Sequence, residues 1–225
     1  MGRTETYGAA LNFADFAKTP AKSKLCSVIC SNKAFTPLHR QRLAFAEKLR
    51  SAFGDRMDFF GRGFREIADK DEALADYRYH IALENSAIDH YWTEKLADPL
   101  LRGCFPIYWG APNIESYFPA DAMLTIDIAR PDAALASIAA LLETDADQRH
   151  RAALDEARRR VLWDHNLFAI LDQLISRQAQ HPSQLRIVLR REEVLHYSWP
   201  RRLLQKTKRL VMDGRAAPIS MPEET

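Results

Sequence analysis

Residues Tyr77–Asn113 read YRYHIALENSAIDHYWTEKLADPLLRGCFPIYWGAPN, and the fold turns on this stretch. Tyr77–Leu83 is an apolar run of strand length that ends in three hydrogen-bonding side chains, Glu84, Asn85 and Ser86. A helix is expected over Thr93–Leu101, closed by Gly103, and a second strand over Phe105–Trp109, closed by Gly110. Strand, helix and strand in this order describe a unit whose two strands run parallel.

The same alternation continues outward. Leu25–Ser31 (LCSVICS) reads as a buried strand. Pro37 opens a helix to about Phe53, with Leu43, Ala46, Leu49 and Phe53 at helical spacing. Met57–Phe60 is a strand stopped by Gly61, Met123–Ile128 a fifth strand, and Ala133–Leu142 a helix with Pro131 at its start. From Asp145 to about Gln180 the pattern is helical, with Trp163, Leu167, Ile170, Leu171 and Leu174 marking its buried side. The order predicts an α/β domain, Rossmann-like, with a parallel sheet and helices on both faces. Ligands of such sheets sit beyond the carboxyl ends of the strands. The site is therefore expected among Ser31–Arg42, Gly61–Arg62, Glu84–Lys95 and Gly110–Asn113. Residues 1–23 read as a linker, 24–182 as the domain and 183–225 as a basic, partly helical tail.

The chain has 225 residues, 47% of them hydrophobic, enough for one sizeable core. A net charge of +2 is not that of a polycation, so nucleic acid is not an expected partner. Residues 185–215 nevertheless hold nine Arg or Lys against three acids. They form either a solvated basic helix or a contact with an anionic membrane surface, with Leu203, Leu204, Leu210 and Val211 on the apolar side. Three cysteines close no disulfide framework and lack metal-ligand spacing, which fits a reducing compartment. A cytoplasmic protein, peripheral on the inner membrane face, is the expectation. No apolar run reaches the length of a membrane span.

The chemistry concentrates where the helix at Thr93 begins. A lysine in a first helical turn opposes the helix dipole, so Lys95 points to an anion shared between its ammonium and the free helix N–H groups. Glu94 beside it can accept from hydroxyls, and Tyr91 can stack on or hydrogen-bond a ligand. The plainer reading is a helix capped by Thr93, with Glu94 in a favourable first-turn position and Lys95 in solvent. His80 reads as a core or edge histidine. His90 and Asp127 are lesser candidates for the rim of the site. No Ser-His-Asp order, Asp-x-Asp pair or Gly-rich phosphate loop occurs.

Taken together, Tyr77-Arg78-Tyr79, Glu84-Asn85-Ser86, Tyr91-Trp92-Thr93-Glu94-Lys95 and Phe105–Asn113 resemble the donor-binding motif of the α-1,3-fucosyltransferase family, glycosyltransferase family 10. Order and spacing of these segments agree together, and the resemblance covers about residues 25–175. The resemblance implies one half of a GT-B-type fold and GDP-fucose as donor. Lys95 would contact the pyrophosphate, Glu94 the ribose, and Tyr91, Glu84, Asn85 and Ser86 would line the pocket. Arg78 stands where the family usually has Lys and keeps the charge. Ser31-Asn32-Lys33 and Arg42–Leu49 resemble an upstream family stretch that places Arg42 on the donor phosphates, with Arg40 as the rival assignment. An arginine fork suits that task. Phe60-Gly61-Arg62 resembles a Tyr-Gly-Arg after the second strand, where Arg62 is either a donor contact or structural. Asn113 closes the motif. Trp163–Phe168 resembles a packing helix after the sheet, and Tyr7-Gly8 a pair that precedes the donor domain.

The resemblance further implies inverting transfer of L-fucose to a glycan hydroxyl, with no metal or other cofactor and with side-chain cations neutralising the diphosphate. It also implies a separate acceptor domain that supplies a carboxylate base. No stretch of this sequence corresponds to that domain, so a truncated chain, a split enzyme or a remnant is expected, together with an acceptor-domain partner chain or a homo-oligomer. The alternatives are a non-catalytic nucleotide-sugar-binding module that works with a partner chain, and a transferase using another GDP-sugar.

Overall fold

The computed structural model describes Phe16, residues 19–32 and residues 36–180, with side chains to residue 177. The tail expected over 183–225, its amphipathic helix and the Tyr7-Gly8 pair lie outside the described residues. The chain divides into two compact units, residues 1–174 and 175–225. The first holds the sheet. Of the second, only residues 175–180, the end of a helix, are described.

Five strands form one sheet: β1 Lys24–Ile29, β2 Met57–Phe60, β3 Tyr77–Leu83, β4 Phe105–Trp109 and β5 Leu124–Thr125. Every pairing is parallel, and the order is β2-β1-β3-β4-β5. The expected parallel α/β architecture is therefore present. β3 and β4, covered on both faces, are almost wholly buried, as the near-continuous apolar runs of parallel strands require.

Helix α1, Pro37–Phe53, is capped by Thr36, whose hydroxyl accepts from His39 N at 3.1 Å, and Pro37 occupies its first turn. Its buried stripe is Arg42, Phe45, Ala46, Leu49 and Phe53. Leu43, expected on that stripe, is only half-buried. Each fully buried Leu or Phe contributes about 1.5–3 kcal/mol, so this face fastens α1 to the sheet and fixes Arg42 with it. Helix α2, Glu94–Leu101, links β3 to β4. Helix α3, Pro131–Leu142, packs on α1, and α5, Arg151–Trp163, packs on α2.

β5 is shorter than the Met123–Ile128 read from the sequence. Ile126 N still donates to Tyr108 O at 2.9 Å. Asp127 then turns the chain, its carboxylate accepting from Ala129 N at 2.9 Å and Arg130 Nε at 3.0 Å. Pro131 starts α3 directly after.

The helical stretch after Asp145 needs a larger correction. It forms three pieces, α4 Ala146–Arg149, α5, and α6 Leu167–Gln180. Asn166 breaks the last two apart: its Nδ2 donates to Leu162 O at 2.6 Å, and its Oδ1 accepts from Ala169 N at 2.9 Å. The residues expected on the buried side are exposed, Trp163 at 59% and Leu167 at 65%, and Ile170, Leu171 and Leu174 are exposed as well. Helical periodicity marks an apolar face but does not say what covers it. The sheet already has its helical cover before α6 begins.

Candidate functional site

In the order β2-β1-β3, the chain leaves β1 toward one edge of the sheet and leaves β3 toward the other. A crevice opens where the direction switches, at the carboxyl ends of β1 and β3. A cleft of about 150 Å³ lies there, lined by Ser31, Arg42, Lys70, His80, Leu83, Glu94, Lys95 and Asp98 among others.

Arg42 is its most telling residue. It is 5% exposed, because it lies one turn before Phe45 on the buried stripe of α1. Its guanidinium donates to Asn85 Oδ1 at 2.5 Å and to Ser31 Oγ at 3.5 Å. Its Nε is buried without a hydrogen-bond partner. Among the described residues, none of its partners carries a negative charge. A buried charge without a counter-charge is costly unless a ligand supplies one.

Glu84 is fully buried. Its carboxylate accepts from Thr93 N at 2.8 Å and Thr93 Oγ1 at 2.7 Å, with Lys95 Nζ at 3.9 Å. Burial raises its pKa, opposed by the Thr93 bonds and the Lys95 charge. Thr93 in turn caps α2, its hydroxyl accepting from Lys95 N at 3.3 Å. Glu84 thus ties the end of β3 to the start of α2. Gly110 makes room for it: a Cβ there would lie 2.6 Å from Glu84 Cγ and 2.1 Å from the Tyr108 hydroxyl, which accepts from Ala111 N.

Lys95 Nζ donates to Glu94 Oε1 at 2.9 Å, while Lys70 Nζ donates to Asp98 Oδ2 at 2.8 Å. Glu94 lies below its usual pKa: burial works upward, and the Lys95 hydrogen bond with the Lys95 and Lys70 charges outweighs it. Burial pushes Asp98 up to about 6 against the pull of Lys70. His80 is buried, its Nδ1 2.8 Å from Ser27 Oγ, and burial drops its pKa to about 3, so it is neutral.

The structure brings Arg42, Asn85, Glu84, Glu94 and Lys95 together. Ser86 and Tyr91 are half-buried in the loop that joins them. Asn113 braces that loop: its Oδ1 accepts from His90 N at 2.8 Å, where His90 has φ of 65°. Arg62 is exposed beyond β2, its carbonyl accepting from Asn32 N. Arg78 does not join the group. It sits near the amino end of β3 and is bound to Asp147 and Thr144 O. Sequence reasoning missed Lys70 and Asp98. The Asp69-x-x-Glu72 capping box signals the 3₁₀ turn at Lys70–Ala73, but only the crossover from β2 to β3 carries that turn to α2. Among the described residues, no three His, Cys, Asp or Glu are grouped as a metal site.

A parallel sheet with a crevice at its switch point, lined by Arg42, Lys70 and Lys95 beside Glu94 and Asp98, defines an α/β domain with a charged cleft. Over residues 19–151, more than half of its length, the chain matches the family described as glycosyltransferase family 10 (fucosyltransferase), C-terminal part, and it belongs to that family of glycosyltransferases. GDP-fucose protein O-fucosyltransferase 3 of Bos taurus is 38% identical over 84 residues, 36% of this chain and 17% of that protein. Alpha-(1,3)-fucosyltransferase B of Drosophila melanogaster is 40% identical over 62 residues, 27% of this chain and 14% of that protein. A crystal structure of an α1,3-fucosyltransferase with GDP-fucose aligns at 25% identity and a TM-score of 0.47, covering 62% of this chain and 39% of that one. The chain thus spans less than a fifth of these curated relatives.

Proposed function

We propose that this chain is the donor-binding domain of a fucosyltransferase, holding GDP-fucose in the cleft beyond β1 and β3. The observation that carries this reading is Arg42, buried in the wall of the crevice and without a counter-charge among the described residues. With Lys95 it would grip the diphosphate and stabilise the leaving GDP. Glu94 would accept from the ribose. Asn85 would orient Arg42, and Glu84 would set the start of α2. Ser86 and Tyr91 would complete the pocket wall.

Transfer of L-fucose to a glycan hydroxyl with inversion would proceed once a base takes the acceptor proton. That base belongs, in this reading, to an acceptor-binding domain of the same or a partner chain. No divalent metal is needed where Arg42 and Lys95 face the phosphates. Among the described residues, no helix is long and apolar enough to cross a membrane. A cytoplasmic protein whose basic tail meets an anionic membrane is the companion proposal. It is supported by the tail's charge and by three free, buried cysteines.

Calorimetry with GDP, GDP-fucose, UDP and ADP tests the assignment. Selective binding of the two guanine ligands is expected. Equal affinity for all four, or none, would remove it.

A further inference from the structure

Glu94 and Asp98 stand one turn apart on α2, where two carboxylates repel. Between them comes Lys70, from the crossover that links β2 to β3. Its Nζ is 2.8 Å from Asp98 Oδ2 and 4.0 Å from Glu94 Oε1. Asp98 is deeply buried and fixes the base of this arrangement. Glu94 Oε1 is the same oxygen that Lys95 holds at 2.9 Å. An anion entering the cleft competes with Glu94 for Lys95. Without another cation, Glu94 would swing to solvent or follow Lys95 toward the anion, and in either case leave its place in the wall.

We propose that Lys70 is a positioning residue: it takes over the Glu94 carboxylate when Lys95 turns to a nucleotide diphosphate, and so keeps Glu94 aimed at the ribose hydroxyls. Lys70 touches no ligand. The proposal rests on the reading of the cleft as a GDP-sugar site. It makes ribose recognition and phosphate recognition separable, although their residues are adjacent in sequence.

The test compares the affinities of GDP, 2′,3′-dideoxy-GDP and GMP by calorimetry. Lys70→Met is expected to lower the GDP to dideoxy-GDP preference about five- to tenfold, as for a weakened charged hydrogen bond. The GDP to GMP ratio should stay as in the wild type. Lys70→Arg should restore both. Lys70→Met combined with Asp98→Asn removes the buried carboxylate that has lost its lysine, and should behave as Lys70→Met does. An unchanged GDP to dideoxy-GDP ratio in a folded variant would overturn the role. So would a loss that falls on the GDP to GMP ratio, since Lys70 would then be a phosphate ligand. A wild-type chain that binds no GDP defeats the reading of the cleft as well. One that binds GDP, with Lys70→Met keeping its ribose preference, defeats the role of Lys70 alone.

Discussion

At the amino end of the sheet, cations are consumed by the protein itself. Lys22 Nζ donates to the carbonyls of Leu74, Ala75 and Arg102 at 2.8–3.1 Å. Arg102 is bound to Asp71, and Arg78 to Asp147 and Thr144 O. At the carboxyl end, Arg42 is more deeply buried than Arg78, yet among the described residues it meets only the neutral groups of Asn85 and Ser31. Lys95 there pairs with Glu94, which is 48% exposed, and lies 3.9 Å from the buried Glu84 carboxylate. Burial of a cation therefore does not mark a site. What sets Arg42 apart among the described residues is burial without an equally buried counter-charge, a cost that a bound anion would offset.

The sharpest way to break the comparison is Arg78→Ala. It leaves Asp147, 4% exposed, without its guanidinium and should cost about 3 kcal/mol of stability, read by denaturant unfolding. GDP affinity of the folded variant should not change. A loss of affinity would mean that the two ends are not separate. Lys95→Ala should do the reverse. It is expected to weaken GDP binding by about 1.5–3 kcal/mol in calorimetry while leaving the unfolding midpoint close to wild type. Unaltered affinity would remove Lys95 from the site.

The smallest effect is a pH dependence. Asp98 is raised from 3.8 to about 6 in the folded state. A carboxyl raised on folding stabilises the fold when protonated. Its contribution is complete below the unfolded value and is lost as pH rises through about 6. Stability should therefore gain on the order of 1–2 kcal/mol as pH falls across that window, and Asp98→Asn should lack the gain. Equal pH profiles for the two proteins would place Asp98 in a wetter environment than the cleft wall.

The chain's local patterns determined its elements. Apolar runs ended by polar or glycine residues set β1 through β4, and Thr36-Pro37 and Thr93 set the starts of α1 and α2. These signals act within a few residues, so they are legible without a fold. The motif at Glu84–Lys95 likewise placed its members in one neighbourhood, since β3 and α2 are adjacent in the chain. Tertiary structure decided the rest. It sent Arg78 to the far end of the strand that begins the motif, because seven residues of β3 separate the two ends of a sheet. It left the apolar face of α6 exposed, because amphipathicity specifies a face and not its cover. It also brought Lys70 against Asp98 of α2 in the cleft wall, through a crossover between β2 and β3, which are not neighbours in the sheet. Which described cation pairs with a carboxylate and which meets neutral groups is a property of that long-range assembly. No spacing along the chain records it.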